Sequence, residues 1–330
     1  MKLSFQKRKL HLKETFYIAY GNYDTRDTLI VTLSHHQSHG YGECVGINYY
    51  NIDLNAFERD LKRLREKIEN LPIIHPTDFF TSLLTWEIHP FLMSALDCAY
   101  WDLYGKLENK SFLELNNLSL NSEVESSYTI SIGPIKEQIE KMENSNWSQF
   151  KVKCKGLNKE HFHILSQFSR PISLDSNASF TAEDCIWIQE NKEAQHFKYL
   201  EQPLPIGEYN VLKNSSFANW MADEDVQDIS YLSKLLPHYQ SVNVKLMKCG
   251  GLTPALSLIQ KAKFLGYKVM LGCMTESSVG ISAACALAPL LDFADLDGAN
   301  LISNDFAKGS YVENGKIIIS DQPGLGISMQ

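Results

Sequence analysis

The sequence has no long hydrophobic run: no stretch approaches the roughly 18–20 apolar residues that a membrane-spanning helix needs. Its first 20 residues contain no apolar core of the kind that marks a secretory signal peptide. The seven cysteines are odd in number and form no C-x-x-C pair, which argues against a disulfide framework or a zinc ribbon. With 31 basic and 39 acidic residues, the chain is a poor candidate for nucleic-acid binding. We therefore expect a soluble, cytoplasmic, globular protein with neither a nucleic-acid nor a membrane partner.

A regular series of charged residues follows short, β-prone apolar runs in the middle of the chain. Each charged residue closes one run, and a helix-like stretch follows it. The intervals between successive members are 22, 26, 22 and 22 residues. A steady βα repeat of this length is what a parallel barrel requires, and the functional residues of such barrels gather at the carboxyl ends of the strands. The five members are Lys153, Asp175, Glu201, Asp223 and Lys245.

Three of these five residues are carboxylates, and two are lysines. In a barrel, Asp175, Glu201 and Asp223 would converge on an all-oxygen site for a hard divalent cation, with one Mg²⁺ per subunit the first choice. Lys153 and Lys245 would face each other across that ion. Burial and a neighbouring cation both lower the pKa of a lysine, which suits a general base. Such a pair can remove a proton from one face of a substrate and return a proton to the other face.

The same residues resemble the motifs of the enolase superfamily, in its muconate-lactonizing-enzyme subgroup. The resemblance extends over nearly the whole chain and includes Ala95–Lys106, which is similar to the helix that leads into the family's barrel. Five motifs in this order and at this spacing are far more specific than any one of them alone. The matching motifs are Lys151 and Lys153 (Lys-x-Lys), Asp175 and Asn177 (Asp-x-Asn), Glu201, Gln202 and Pro203 (Glu-Gln-Pro), Ala222, Asp223 and Glu224 (Ala-Asp-Glu), and Lys245.

Eight strand-like runs predict that the barrel closes. A barrel of this kind alone needs roughly 250 residues, so about a quarter of the chain belongs to something else. The expected barrel strands lie near residues 127–132, 149–153, 172–175, 198–201, 219–222, 242–245, 268–272 and 293–296.

The segment before the barrel predicts a separate α+β unit. Strand-like runs fill its start, an amphipathic helix runs from Leu54 to Ile68, and a second helix runs from about Pro90 to Leu107. The resemblance implies that this unit caps the barrel and that the tail, with the strand-like run Lys316–Ser320, returns to it. We therefore expect an α/β fold, a modified TIM barrel of the (β/α)7β type over residues 121–308, with an α+β capping domain over residues 1–120 that residues 309–330 complete.

The resemblance also implies a reaction. In this family a substrate carboxylate binds Mg²⁺, which acidifies the neighbouring α-proton. Lys153 and Lys245 would exchange that proton on opposite faces through an enolate. Lys151 would hydrogen-bond the carboxylate and stabilise the developing charge. Asn177 is expected to orient ligands or substrate rather than to bind the ion.

Asp295 and Asp297 decide the expected substrate. They place two carboxylates on one face at the end of the eighth strand. They resemble the Asp-x-Asp with which the family's dipeptide epimerases hold the α-ammonium group of an N-terminal residue. Paired carboxylates are poor neighbours for muconate or succinylbenzoate, which are anionic at both ends. The prediction is therefore an isomerase, a Mg²⁺-dependent epimerase that inverts the α-carbon of the C-terminal residue of L-Ala-Xaa dipeptides.

The loops of the first domain are expected to select the substrate side chain. Ile18–Tyr23 aligns with a stretch that carries glutamate-binding arginines in the Ala-Glu epimerases, but Tyr20 and Tyr23 stand at those positions, and Arg26 is shifted. A broad or apolar preference therefore stands beside glutamate as a hypothesis. Tyr49 and Tyr50 resemble a lid loop that closes over the ligand, with core packing as the alternative.

The sequence defines the roles of three other charged residues near the strand ends less clearly. Glu276 lies just past the seventh strand and is expected either to hydrogen-bond a catalytic lysine or to cap the next helix. Glu224 follows Asp223 directly and would therefore point to the opposite face of the strand. Lys248, three residues past Lys245, is expected to face solvent.

Two alternative functions stay open. The first is a sister enzyme on the same scaffold, either an o-succinylbenzoate synthase or an N-acylamino acid racemase. The second is a non-catalytic relative that binds metal and keeps the fold, although a binding module has no use for opposed lysines. For a dipeptide epimerase, the expected binding partner is a small-molecule dipeptide. The protein could also form a homo-oligomer.

Overall fold

The computed structural model describes residues 1–119 and 124–330, so the domain boundary expected between residues 120 and 121 lies outside the described residues. The chain begins with a three-stranded antiparallel sheet in the order β1-β2-β3. Its first two strands form a long hairpin, and His36, with a left-handed φ of 53°, turns the second strand into the third. The three strands are β1 (Lys2–Ile18), β2 (Gly21–His35) and β3 (Ser38–Val45).

Four helices follow this sheet. The first begins at Asp53, whose side chain accepts a hydrogen bond from the backbone N–H of Asn55 at 2.8 Å and so caps the helix. The apolar face predicted between Leu54 and Ile68 is buried, as expected from its period. The helices are α1 (Leu54–Asn70), α2 (Pro76–Leu84), α3 (Pro90–Glu108) and α4 (Phe112–Leu115).

Helix α3 is buried along most of its length and packs closely on β3. Gly40 and Gly42 of β3 permit this approach. A Cβ atom at Gly40 would lie 2.1 Å from the carbonyl oxygen of Ala99, and one at Gly42 would lie 1.9 Å from that of Ala95. The two positions therefore require glycine because the helix backbone occupies the space of a side chain.

An eight-stranded parallel sheet forms the second part of the chain and closes almost completely into a barrel. The first and last strands meet at an isolated parallel bridge between Ser126 and Ala294, where the N–H of Ser127 donates to the carbonyl oxygen of Ala294 at 3.0 Å. All eight predicted runs form strands, and every observed end lies within two residues of the expected one. The strands are β4 (Tyr128–Ile130), β5 (Phe150–Lys153), β6 (Ile172–Asp175), β7 (Phe197–Glu201), β8 (Trp220–Ala222), β9 (Ser241–Val244), β10 (Lys268–Gly272) and β11 (Phe293–Asp295).

Helices cover the outside of this barrel, and a small apolar cluster fills its floor. Tyr199, Met221, Met270 and Phe293 form the cluster, and each stands two residues before the charged or glycine residue at which its strand ends or, for Met221, just after that end. Because side chains alternate along a strand, the strand-end residues share the inward face with this floor. The helices are α5 (Ile135–Glu143), α6 (Lys159–Ser166), α7 (Ala182–Glu190), α8 (Leu232–Leu235), α9 (Leu246–Cys249), α10 (Leu252–Phe264) and α11 (Ser278–Cys285).

A buried glutamate of the N-terminal sheet joins that sheet to the barrel. Glu43 of β3 accepts hydrogen bonds from the Ser277 N–H at 3.1 Å, the Ser277 hydroxyl at 2.6 Å and the Gly280 N–H at 3.0 Å, all at the start of α11. The hydroxyl of Thr28 donates to it from its own sheet at 2.7 Å. Burial raises the pKa of Glu43, and these donors oppose that rise.

A second junction lies at α3. Asp97 accepts hydrogen bonds from the N–H of Thr253 at 2.9 Å and from its hydroxyl at 2.8 Å, at the start of α10. Burial raises the pKa of Asp97 to about 7. Asp102, one turn further along α3, accepts from the Leu325 N–H at 2.8 Å and so ties the C-terminal segment to the helix.

The C-terminal segment forms two short antiparallel pairs. The run Lys316–Ser320 does not pair with residues 1–119 of the first domain. Its strand pairs with residues 311–313, and the return to α3 comes later, at Leu325. No helix in residues 1–119 or 124–330 is long and apolar enough to cross a membrane. The four strands are β12 (Ala307–Lys308), β13 (Tyr311–Glu313), β14 (Lys316–Ile318) and β15 (Ser328–Met329).

Candidate active site

The strand ends bring the charged residues of the series to the same end of the barrel. Lys153, Asp175 and Glu201 are direct partners across β5, β6 and β7, so their side chains stand side by side. Asp223 and Lys245 follow the last residues of β8 and β9. Lys153 and Lys245 belong to the second and the sixth of eight strands, which places them half the barrel circumference apart.

Each of the two outer lysines pairs with a carboxylate. Lys153 Nζ lies 2.5 Å from Asp175 Oδ2, and Lys245 Nζ lies 2.6 Å from Asp223 Oδ2. Both lysine side chains are 12% exposed, whereas that of Lys151 is 3% exposed. Lys153 and Lys245 are therefore the lysines of this group that reach into the mouth of the barrel.

Lys151 lies deeper and links two groups of acids. Its Nζ lies 3.3 Å from Glu201 Oε2 and 3.7 Å from Asp175 Oδ2, and it pairs with Asp295 on the opposite side. Burial lowers the pKa of Lys151, but the carboxylates around it, Asp295 first, outweigh burial and raise the pKa well above its ordinary value. Lys151 is therefore a fixed positive charge between the second and the eighth strand.

The three central carboxylates have different electrostatic surroundings. Burial and the neighbouring charge of Asp175 raise the pKa of Glu201 to about 7. Burial also disfavours ionised Asp223, but Lys245 and Lys248 outweigh burial and lower its pKa. The pKa of Asp175 is lowered in the same way, because Lys153 and Lys151 outweigh its burial.

The predicted lowering of the Lys245 pKa depends on a neighbouring cation, and the ion pair with Asp223 acts in the opposite direction. Burial lowers the pKa of Lys245, but the adjacent Asp223 outweighs burial and raises it well above the ordinary value. The carboxylates of Asp175 and Asp223 contact lysines, and that of Glu201 contacts Lys151 and the side-chain amide of Asn243. Accordingly, no three His, Cys, Asp or Glu side chains of the described chain converge as a ready-made metal-ligand group.

Two residues near Asp223 also differ from the sequence-based prediction. Lys248 does not face solvent: its Nζ lies 2.5 Å from Asp223 Oδ1 and 2.6 Å from the Asp223 carbonyl oxygen. Glu224 does not point away from the site. It is buried beside Asp223, burial and the charge of Asp223 raise its pKa to about 8, and its Oε2 has no hydrogen-bond partner.

Asp295 and Asp297 line the same cavity and are held from the first strand of the barrel. The N–H of Thr129 donates to Asp297 Oδ2 at 2.7 Å, and its hydroxyl donates to Asp297 Oδ1 at 3.3 Å. Burial and the neighbouring charge of Asp295 raise the pKa of Asp297 to about 7. Thr129 was not predicted from the sequence, because a threonine in a strand is unremarkable until the closing strand is known.

The hairpin of β1 and β2 covers the mouth of the barrel. At one side the carbonyl oxygen of Tyr17 accepts from the Ile132 N–H at 3.0 Å. At the other side the ring of Tyr20 stacks on that of Tyr49 with centroids 4.5 Å apart. The ring of Tyr50 stands edge-on to Tyr49 at 5.0 Å. The rings of Tyr20, Tyr49 and Tyr50 line the same cavity as Lys153 and Lys245.

The remaining predicted substrate residues also line this cavity or border it. The hydroxyls of Tyr23 and Thr275 are 3.1 Å apart, which joins the hairpin to the loop after β10. Arg26 stacks over the Tyr23 ring at 3.9 Å and donates to the Gly46 carbonyl oxygen at 3.0 Å. Of the described side chains, no carboxylate pairs with Arg26.

Asn177 and Glu276 occupy supporting positions. Asn177 adopts a left-handed φ of 44° and places its Oδ1 3.4 Å from Lys153 Nζ. Glu276 accepts a hydrogen bond from the Met274 N–H at 2.7 Å, within its own loop. Burial raises the pKa of Glu276 to about 8.

The fold and the site define a capped (β/α) barrel enzyme, with acidic residues on three successive strands and lysines on the strands that flank them. Residues 135–330 match the family model of the enolase C-terminal domain-like proteins. The L-Ala-D/L-amino acid epimerase of Maribacter is 34% identical over 335 residues, which cover 100% of this chain and 99% of the relative. The L-Ala-D/L-Glu epimerase of Escherichia coli is 30% identical, with 93% of this chain and 96% of the relative covered.

Solved structures show the same relationship. A dipeptide epimerase from Enterococcus faecalis, in complex with Mg and the dipeptide L-Leu-L-Tyr, superimposes with a TM-score of 0.87 at 25% identity and covers 99% of both chains. The chain therefore belongs to the enolase superfamily, and its full-length relatives place it with the dipeptide epimerases.

Proposed function

We propose that the protein is a Mg²⁺-dependent dipeptide epimerase that inverts the α-carbon of the C-terminal residue of L-Ala-Xaa dipeptides. The observation that carries the proposal is the placement of Lys153 and Lys245 half a barrel apart in one cavity. Inversion at a single carbon needs one base on each face, and a binding module has no use for two opposed bases. The capping domain of residues 1–120, with residues 309–330, would close the site from above.

The residues present fit a divalent cation. Asp175 and Glu201 are buried partners across β6 and β7, Asp223 is buried just past the end of β8, and carboxylate oxygens are the ligands that Mg²⁺ prefers. Mutual repulsion contributes to the raised pKa of Glu201, with burial the larger cause, and both effects would be offset by a bound cation. Bound Mg²⁺ would supply the positive charge that acidifies the substrate α-proton.

The side chains of the chain itself perform the proton transfers. Lys153 or Lys245 would take the α-proton from its own face, after release from the carboxylate with which it pairs. The opposite lysine would then protonate the other face and complete the inversion. Lys151 would remain charged throughout, because its pKa is raised, and would stabilise the negative charge that develops on the substrate carboxylate.

Asp295 and Asp297 support a free α-ammonium group as the second recognition element. They are buried and line the same cavity as Lys153 and Lys245, so a substrate whose carboxylate binds the cation could place an ammonium group beside them. An N-acylated amino acid has no charge to place there, and succinylbenzoate has the wrong one. This favours a dipeptide over the substrates of the sister enzymes.

The cap supports an apolar or broad choice for the epimerised side chain. Tyr20, Tyr49 and Tyr50 present aromatic surface to the cavity, and Arg26 is already engaged by Tyr23 and Gly46. Relatives named hydrophobic dipeptide epimerases, 27% identical over nearly the whole chain, occur beside those that act on Ala-Glu.

A dipeptide library in D₂O tests the proposal. With Mg²⁺ supplied, free-amine L-Ala-Xaa dipeptides should gain one deuterium at the C-terminal α-carbon, measured by mass spectrometry, and apolar Xaa should exchange at least as fast as glutamate. N-acetylated versions of the same dipeptides are the matched control and should exchange far more slowly. Faster exchange of N-acylamino acids would point to the sister enzymes, and no exchange across the library would point to a non-catalytic relative.

A further inference from the structure

Asn243 lies inside the barrel, directly below the candidate metal site. It stands on β9, two residues before Lys245, and its side chain is completely buried. Its Nδ2 donates a hydrogen bond to Glu201 Oε1 at 2.7 Å. Its Oδ1, also buried, has no hydrogen-bond partner. The amide therefore makes one polar contact through its side chain, and that contact is with a proposed metal ligand.

The two oxygens of Glu201 are held by different kinds of donor. Lys151 Nζ lies 3.3 Å from Oε2, but it also pairs with Asp295 and approaches Asp175. Asn243 has no such competing partner, and its bond to Oε1 is the shorter of the two. The amide is therefore the donor that fixes the rotation of the Glu201 carboxylate.

The neighbouring strand leaves room for this amide. Gly272 ends β10, and a Cβ atom there would lie 2.7 Å from Asn243 Oδ1 and 2.8 Å from Nδ2. Any other residue at position 272 would force the amide to move. Leaving an amide oxygen buried without a partner also costs about 1–3 kcal/mol. The structure thus contains two unfavourable features beside the Asn243–Glu201 hydrogen bond: position 272 has no side chain, and Asn243 Oδ1 has no hydrogen-bond partner.

A neutral donor suits this position. A lysine or arginine would also hold Glu201, but its charge would compete with a cation for the same carboxylate. An amide orients the oxygen without neutralising it. Hydrogen bonds of this kind to metal ligands typically change metal affinity about 10–100-fold when removed.

We propose that Asn243 is a positioning residue that orients Glu201 for the divalent cation, with Gly272 providing the space for its amide; this inference rests on the metal site of the proposed function. Asn243 does not contact the substrate or the cation itself. It acts through Glu201, so its loss should weaken Mg²⁺ binding while leaving the lysines in place.

The test measures Mg²⁺ binding to the whole protein by isothermal titration calorimetry, without substrate. Asn243→Leu, which keeps the branched shape but has no side-chain N–H, should raise the Kd for Mg²⁺ about 10–100-fold. Gly272→Ala should also raise the Kd for Mg²⁺, because the added methyl group displaces the Asn243 amide. This variant tests the proposal if Asn243→Leu fails to fold. Met270→Leu is the matched control, since Met270 is the partner of Asn243 across β9 and β10 and makes no side-chain hydrogen bond; its Kd should not change.

The double variant adds a sharper criterion. Because both substitutions act on one hydrogen bond, Asn243→Leu with Gly272→Ala should bind Mg²⁺ no more weakly than Asn243→Leu alone. Excess Mg²⁺ should restore the turnover of the single variants. Folded variants with the wild-type Kd would overturn the role of Asn243 while leaving the proposed function intact. A wild-type protein that binds no Mg²⁺ would refute both, and one that binds Mg²⁺ without epimerising dipeptides would refute the function alone.

Discussion

Removing either outer lysine should abolish epimerisation but leave a different half-reaction in each variant. Lys153→Ala leaves Lys245 on one side of the barrel, and Lys245→Ala leaves Lys153 on the other. General acid/base groups contribute roughly 10²–10⁴-fold, which corresponds to about 3–5 kcal/mol of activation free energy. Net inversion requires both lysines, so turnover should fall by at least that factor in each variant.

The surrounding ion pairs indicate that the fold tolerates these substitutions. Without Lys245, Asp223 keeps Lys248 at 2.5 Å. Without Lys153, Asp175 keeps Lys151 at 3.7 Å. Neither change leaves a buried carboxylate without a cationic neighbour, so the loss of activity should report the missing base rather than unfolding. Unchanged thermal midpoints of both variants would check this point.

Deuterium exchange separates the two half-reactions. Each variant, incubated in D₂O with the L,L and the L,D form of one dipeptide, should exchange the α-proton of one form only, and the two variants should prefer opposite forms. NMR of the α-proton follows this directly. If either variant epimerises at a near-normal rate, or if both exchange the same stereoisomer, the assignment of one lysine to each face is wrong.

Three further predictions follow from the packing around the site. Asp297→Asn should reduce kcat/KM for free-amine dipeptides much more than for N-acetylated ones, since it removes one charge opposite the ammonium; equal effects on both, by steady-state assay, would contradict this role. Glu43→Ala leaves three buried donors, the Ser277 N–H, the Ser277 hydroxyl and the Gly280 N–H, without an acceptor and should lower the free energy of unfolding, measured in urea, by about 3–5 kcal/mol. Burial raises the pKa of Asp97 to about 7, so the folded state binds this proton more tightly than the unfolded chain; its contribution to stability is therefore largest below about pH 4 and is lost as pH rises to about 7. Asp97→Asn should flatten that part of the stability profile, and an unchanged slope would refute the assignment.

The barrel could be predicted from the sequence because its signal is periodic. From Lys153 to Lys245, each short apolar run is closed by a charged residue, and the interval from Asp175 to Asp223 spans two strand-to-strand repeats. The second of these repeats contains only the short 3-10 helix Tyr209–Val211 between β7 and β8. The amphipathic helix α1 was predicted for the same reason, from the period of its buried face. The return of the C-terminal segment was less well predicted, because the apolar run near Lys316 pairs locally, while the later contact at Leu325 uses a backbone N–H that carries no sequence signal.

The supporting residues of the site could not be predicted in the same way. Asn243 is 42 residues from Glu201, and Thr129 is 168 residues from Asp297. Contacts of this kind depend on which strands become neighbours when the barrel closes. A period along the chain identifies the strands and their inward faces, but it does not predict which inward-facing side chains of different strands contact each other.

Lys248 is a different case, because a local signal was present and was misread. Lys245 precedes α9, which begins at Leu246, so Lys248 lies at the end of the first helical turn. Residues three apart on a helix share a face, and Lys248 therefore returns to the side on which Lys245 already meets Asp223. The three-residue spacing between Lys245 and Lys248 therefore brings a second ammonium group to Asp223 rather than pointing Lys248 to solvent. With one lysine on each oxygen, Asp223 can release Lys245 for proton transfer and still keep a neutralising partner, whereas Asp175 depends for this on the more distant Lys151. The two faces of the site are thus electrostatically unequal.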